Sequence, residues 1–350
     1  MSRRFLPTAS LETLQLRSRL LASLRDFFHS HGYWECETPI LSREVVVDAN
    51  LAPFVTHDVS GDAYYLQTSP EAGMKRLLVA GATAIFQITR AMRRGESGRF
   101  HNPEFTMVEW YRVGDDHHDQ MTFVERLVRA FYAKAAQGSD VDAVESRGRL
   151  SDQPFERLTY DEAFERFTGT RVLHLDGFEL RNLAAEFCVE TPPTLGVEDR
   201  DGWLNILLAE LVEPQLGHGM PQFIYDYPAS QAALAIVREQ SSRDENANGV
   251  TDSTAFVAER FELYDRGVEL CNGYHELTDA DEFSRRSRRE RDSSGFSQHR
   301  ELPGAPLLEA AMRAGLPDCA GVALGLDRLV MMALCKTEIG DVIAFPGERA

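Results

Sequence analysis

At 350 residues with 43% apolar content, the chain is long enough for one large domain or two ordinary ones, with a sizeable core. Its 37 basic and 55 acidic residues leave a formal net charge of −18, which opposes non-specific attachment to a polyphosphate backbone. No apolar run reaches the length of a membrane span, and no signal-like core follows Met1-Ser2-Arg3-Arg4, so a soluble cytosolic protein is expected. Five scattered cysteines, none in CxxC spacing, suggest neither a disulfide framework nor a zinc site. The adjacent pair His117-His118 diverges on helix or strand, so solvated surface histidines are expected there.

From Ser10 to His29, Leu14, Leu20, Leu21, Leu24, Phe27 and Phe28 recur at helical spacing, with Ser10 as N-cap and Gly32 as stop. Glu37-Thr38-Pro39-Ile40-Leu41 reads as an interface strand or an ordinary loop, since proline removes a backbone donor. Ala84 to Arg90 and Phe105 to Tyr111 are strands joined across the polar Arg93 to Gly98 loop. Between about Thr122 and Gly219 the pattern is largely helical. Phe223 to Pro228 returns to strand character, and Ser241 to Thr254, with Asn248-Gly249, reads as an exposed loop. Arg285 to Arg300 mixes arginines with acids and serines and reads as a solvated excursion. A last strand, Gly321 to Leu324, runs into a helix from about Leu326 to Cys335.

The densest chemistry lies in Arg99 to Tyr111, where phosphate ligands, an aromatic platform and carboxylates share one turn and strand, as in a nucleotide site. Alternation puts Phe105, Met107, Glu109 and Tyr111 on one face. A buried Glu109 needs a cationic ligand there, or an internal arginine partner. Asn272, Tyr274 and Glu276 share parity on another strand. Upstream, a tight connection through Asp265-Arg266-Gly267 would set Glu262 opposite Glu269, a pair that suits magnesium unless a bulge offsets it. Gly321 to Arg328 places an arginine in the first turn of a helix, a phosphate seat but a weak motif alone. No phosphate loop of the Walker type and no dinucleotide fingerprint occurs.

These three elements in this order resemble the signature motifs of class II aminoacyl-tRNA synthetases, and within that class the lysyl enzymes. The first motif would be Gly32 to Pro39, the second Arg93 to Tyr111 and the third Gly321 to Arg328. The resemblance implies an α+β fold, a mostly antiparallel β-sheet flanked by helices, as a single catalytic domain over 1–350 with a largely helical insertion at about 120–220. The first motif starts almost at once, so the anticodon-binding barrel of lysyl synthetases is expected to be absent. With Thr68-Ser69-Pro70-Glu71, Met74-Lys75-Arg76, Tyr227 to Ala232, Asn272 to Ala280 and Pro317-Asp318-Cys319, the chain is similar to the elongation factor P β-lysine ligases, which modify a protein.

That resemblance implies ATP as co-substrate, Mg2+, (R)-β-lysine or lysine, elongation factor P as acceptor, a homodimer, and neither tRNA nor membrane as partner. It implies that Arg93 binds the α-phosphate and the substrate carboxylate, and that His101 and Arg328 hold the outer phosphates. Phe105 would stack on adenine, with Arg94, Gly95, Asn102, Leu270 and the Gly325 backbone completing the ATP site, and Glu262 with Glu269 would carry magnesium. Glu71, Glu109, Tyr111 and Glu276 would grip the two amines, with Ser69, Pro70, Asn272, Tyr274 and Ala323 lining the same pocket. Two positions depart from the lysyl pattern. Arg94-Gly95 replaces an Asn-Glu pair, leaving Glu96 as the nearest carboxylate, and Ala323 replaces glycine, which would favour β-lysine by about 1 to 3 kcal/mol. The alternatives are a truncated synthetase-like enzyme charging tRNA or another acceptor, and a non-catalytic amino-acid sensor.

Overall fold

A buried stripe of Leu16, Leu20, Leu24 and Phe28 accounts for the first helix, α1 (Leu11–Ser30), whose N-cap Ser10 accepts the Thr13 N–H at 3.2 Å. His31 closes it, and Gly32 at φ +81° turns the chain out. The computed structural model describes residues 5–46, 48, 51–137, 150–246, 249–293 and 302–350. It divides into two units, residues 1–153 with 275–350, and residues 154–274.

In the first unit α1 leads to β1 (Trp34–Glu35), β2 (Leu41–Ser42), β3 (Val55–His57), β4 (Ala63–Leu66), α2 (Glu71–Val79), β5 (Ala84–Met92), β6 (Glu104–Val113) and α3 (His117–Gln137). Strands β2, β4 and β3 form a small antiparallel sheet. Strands β5 and β6 pair antiparallel from Ala84 opposite Arg112 to Met92 opposite Glu104, and β1 adds in parallel to β5. Glu37 to Pro39 carry no strand. Helix α1 packs on this sheet through Phe28, whose ring stacks on Phe86 at 4.4 Å and meets Trp110 at 5.3 Å. His117 is buried and only His118 is exposed, so the expected pair of solvated histidines is corrected: the first residue of α3 turns inward.

The second unit contains β7 (Glu156–Thr159), α4 (Tyr160–Thr168), α5 (Gly177–Glu186), α6 (Arg200–Leu207), β8 (Gln222–Pro228), β9 (Val237–Asn246), β10 (Gly249–Asp265) and β11 (Val268–His275). Capping boxes start α4 (Thr159 with Glu162) and α5 (Asp176 with Glu179), and Gly169 at φ +76° ends α4. Strands run in the order β11-β10-β8-β7, with β9 also paired to β10. The helices cover this sheet through Phe164, Leu180, Trp203, Leu204 and Leu207, against Ile224, Tyr227 and Tyr264. The loop expected over Ser241 to Thr254 is corrected to a hairpin: a backbone ladder runs from Val237 opposite Ala258 to Asn246 opposite Gly249. Its polar side chains hide it, since a two-stranded ladder needs no apolar alternation. Asn248 lies outside the described residues.

The chain then returns to the first unit with α7 (Ala280–Ser293), α8 (Pro306–Gly315), β12 (Cys319–Gly325) and α9 (Leu326–Ala333). Arg285 to Ser293 is therefore helix rather than an irregular excursion, supported by Glu282 paired with Arg285 at 2.8 Å and Arg286 at 2.7 Å. The remainder up to Arg300 lies outside the described residues. Strand β12 pairs antiparallel with β6, from Cys319 opposite Val113 to Gly325 opposite Met107. Among the described residues no helix is long and apolar enough to cross a membrane.

Candidate active site

Strand β6 and helix α2 bring together the residues expected to hold amines. Pro70 precedes the first turn of α2, and the Ser69 hydroxyl accepts the Glu71 N–H at 3.0 Å while donating to Glu109 Oε2 at 2.7 Å. Tyr111 donates its hydroxyl to Glu109 Oε1 at 2.7 Å. Glu109 is 2% exposed and Glu276 is 1% exposed. Burial and then the neighbouring Glu71 push Glu109 up to about 8, with the Ser69 and Tyr111 hydroxyls working the other way. Burial pushes Glu276 up to about 7, against the pull of Lys75. Ala323 stands directly opposite Glu109 in the β12–β6 ladder, on the strand pair that floors this pocket.

Two residues outside the expected substrate-binding set complete the pocket. Lys75 is 1% exposed and lies 2.6 Å from both Glu71 Oε1 and Glu276 Oε2. Burial disfavours its ammonium, yet Glu276 and Glu71 more than offset this and hold it charged, well above the ordinary range. Its i,i+4 spacing from Glu71 was the legible signal. Gly321, opposite Tyr111, is the other: a Cβ there would sit 2.3 Å from Tyr111 Cε1 and 2.6 Å from Glu276 Oε1. Only glycine permits that approach.

The phosphate-binding candidates form a neighbouring group on the same unit. The Arg93 guanidinium lies 5.0 Å from the centre of the Phe105 ring and 3.5 Å from Glu96 Oε1, so the carboxylate next along the loop does reach Arg93. Gly95 turns at φ +91°, and the Arg94 N–H donates to Ala52 at 2.7 Å, which ties the loop down. Arg328, in the first turn of α9, donates to His101 Nε2 at 2.6 Å and to the Phe100 carbonyl at 3.2 Å. Burial and then the Arg328 charge lower the His101 pKa, which favours the neutral, accepting ring. Asn102 is less available: its amide donates to Glu104 at 2.6 Å and its carbonyl accepts the Gly347 N–H at 2.8 Å. Gly325 precedes α9, opposite Met107. A buried clamp fixes the helix: Asp327 pairs with Arg17 of α1 at 2.5 Å and accepts the Thr106 N–H at 2.8 Å.

In the second unit, the expected facing pair of glutamates is not formed. A tight turn at Arg266-Gly267, with a bulge between Leu263 and Tyr264, sets Glu262 opposite Asn272 and Tyr264 opposite Glu269. Glu262 accepts from the hydroxyls of Tyr227 at 2.7 Å and Tyr264 at 2.6 Å, from the Asn272 amide at 2.9 Å and from the Arg260 guanidinium. Burial and the Glu262 charge hold both tyrosines protonated, so they donate. Tyr274 flanks the hub, its ring centre 5.9 Å from the Arg260 guanidinium. Two donors on each oxygen leave Glu262 no lone pair for an ion, so this donor set does not fit the magnesium role expected of it. Glu269 is half-buried beside the bulge and offers the hard oxygen donors magnesium takes, whereas Leu270 is buried and contributes backbone.

A carboxylate pocket, an arginine beside an aromatic ring and a helix-borne arginine are thus carried by one unit. A family model of class II tRNA synthetases (D, K and N) matches residues 4–349, and the chain belongs to that family. Within it, the chain is similar to the elongation factor P–(R)-β-lysine ligases of Yersinia enterocolitica and Salmonella arizonae. Each is 42% identical over 352 residues, covering 98% of this chain and 98% of the relative.

Proposed function

We propose that this chain is an ATP-dependent ligase that activates (R)-β-lysine and attaches it to a lysine of elongation factor P in the cytoplasm. The observation that carries the reading is the amine pocket of Ser69, Glu71, Glu109, Tyr111 and Glu276, in a chain that aligns with such ligases along almost its whole length. In the first step a substrate carboxylate oxygen bonds to the α-phosphorus of ATP and the pyrophosphate leaves with the bond's electrons. In the second, the ε-amine of the acceptor lysine attacks the acyl carbon, AMP departs and the amine gives up a proton. No covalent enzyme intermediate is required, because positioning and charge neutralisation supply the acceleration.

Arg93 neutralises charge developing on the α-phosphate, and Phe105 offers adenine a face beside that guanidinium. Arg328 and His101 bind the outer phosphates; phosphate charge raises the affinity of His101 for a proton and converts it from acceptor to second donor. Glu96 stands in for the glutamate that Arg94-Gly95 lacks. Glu269 would be a magnesium ligand, supplying hard oxygen donors of the kind that ion takes. The Ala323 methyl opposite Glu109 favours the shifted amine of β-lysine over α-lysine. Exposed Trp34 in the first motif, with exposed Ile40 and Leu41 just after it, supports a homodimer.

The test is the intact mass of elongation factor P after incubation with this protein, magnesium, ATP and (R)-β-lysine, with L-lysine in parallel. A single β-lysyl addition is expected. No addition, with pyrophosphate exchange intact, would move tRNA charging to the front; no exchange at all would favour a sensor. Arg93→Ala is expected to lower that exchange by roughly 10² to 10³, the usual loss for a donor to a developing anion.

A further inference from the structure

Among the described residues, the amino-acid pocket holds three carboxylates, Glu71, Glu109 and Glu276, and one resident cation, Lys75. With all four ionised the balance is two negative charges, the number neutralised by two ammonium groups. We propose that Lys75 is a resident counter-cation that sets this pocket's charge to match a substrate with two amines, which makes it a specificity-determining residue. The inference rests on the ligase reading above and assigns to it a residue that does not itself touch the reacting atoms.

A plain helix-stabilising role accounts poorly for the geometry. Surface i,i+4 pairs are exposed and contribute about 0.3 to 0.5 kcal/mol, whereas Lys75 is 1% exposed and joins Glu71 to Glu276, two hundred residues further along. Glu71 and Glu276 each spend one oxygen on Lys75 at 2.6 Å, which aims the carboxylates and leaves each a second oxygen. The charged and titratable groups facing this cluster include Glu109 and Tyr111 from β6, Cys36 just after β1, His275 from the end of β11, and Cys319 from β12. An amino acid with one amine leaves one carboxylate uncompensated, and that group must take up a proton. A dicationic substrate instead drives protons off the pocket as it binds.

The experiment is pyrophosphate exchange into ATP, dependent on (R)-β-lysine or L-lysine, between pH 5.5 and 9 for the wild type, Lys75→Met and Lys75→Arg. Lys75→Met leaves three carboxylates against two amines. It is expected to raise KM at least tenfold at pH 7 with a smaller change in kcat, and to move the acid limb of kcat/KM up by about one pH unit. Lys75→Arg should keep the limb in place. An unmoved limb and unchanged KM in Lys75→Met, with the wild type active, would overturn the assignment of Lys75 alone. A wild type that exchanges nothing with either amino acid would overturn the ligase reading itself. Should Lys75→Met fail to fold, wild-type calorimetry at pH 7 decides: release of at least one proton per L-lysine, and binding of 6-hydroxynorleucine at least tenfold weaker, are expected. No proton release, or equal affinities, would refute the charge match.

Discussion

Glu109 and Glu262 are both nearly buried carboxylates on central strands, at 2% and 6% exposure, yet they are solvated by the protein in different ways. Glu262 is surrounded by two tyrosine hydroxyls, an amide and a guanidinium, so its charge is answered before any ligand arrives. Among the described residues Glu109 has two hydroxyls and no cation of its own, and burial, then repulsion from Glu71, pushes it up to about 8. The lesson is that burial alone does not mark a ligand site; a deficit of positive charge does. Glu262 is compensated within the protein, whereas the Glu71, Glu109 and Glu276 cluster carries more negative charge than Lys75 offsets, as the proposed amine site requires.

The largest effect that would break this comparison is on stability at Glu262. Glu262→Gln strands the Arg260 guanidinium and is expected to cost about 3 kcal/mol, read as a lower midpoint in urea unfolding. If Glu262 instead carried magnesium, stability would hold and the magnesium needed for half-maximal exchange would rise. Next comes Gly321→Ala, whose methyl meets Tyr111 and Glu276; about 1 to 3 kcal/mol of overpacking is expected, with amino-acid binding lost before ATP binding in titrations of each. Glu109→Gln should move KM for the diamino acid by roughly 10- to 100-fold through loss of a charge-assisted bond. Its thermal midpoint at pH 7 should stay close to that of the wild type, because the empty pocket already holds this carboxyl mostly protonated. A large drop in that midpoint would place Glu109 with the scaffold.

The smallest effect is in pH dependence and sharpens the same contrast. Folding raises Glu109 to about 8 and Glu276 to about 7, from an ordinary glutamate value of 4.5, so the folded protein binds more protons than the unfolded chain. Their stabilising contribution is full below the unfolded value and fades as pH rises through 7 and 8. The ligand-free thermal midpoint should therefore fall between pH 6 and 8, and a saturating diamino acid should remove most of that fall. KM for the diamino acid should decrease over the same interval. A flat midpoint would mean that the pocket is already compensated, like Glu262.

The parity that groups Phe105, Met107, Glu109 and Tyr111 was readable because alternation is a property of the strand alone. The partner of Glu262 was not, since one bulge at Leu263 and Tyr264 displaces the whole ladder and leaves no mark in composition. The hairpin of β9 and β10 was missed for the opposite reason, polar residues standing where strand patterns are sought. His117 became buried through packing that its neighbour His118 does not share.

By itself the sequence determined most of the element types and the three motifs in their order, because helical and strand periodicities and turn residues are local. Only the tertiary structure decided how the charges balance. Lys75 neutralises carboxylates drawn from segments two hundred residues apart, and Glu262 is answered by hydroxyls from two other positions on the sheet. Electrostatic compensation depends on distance in space and on the exclusion of water, and neither is written in the order of residues along the chain.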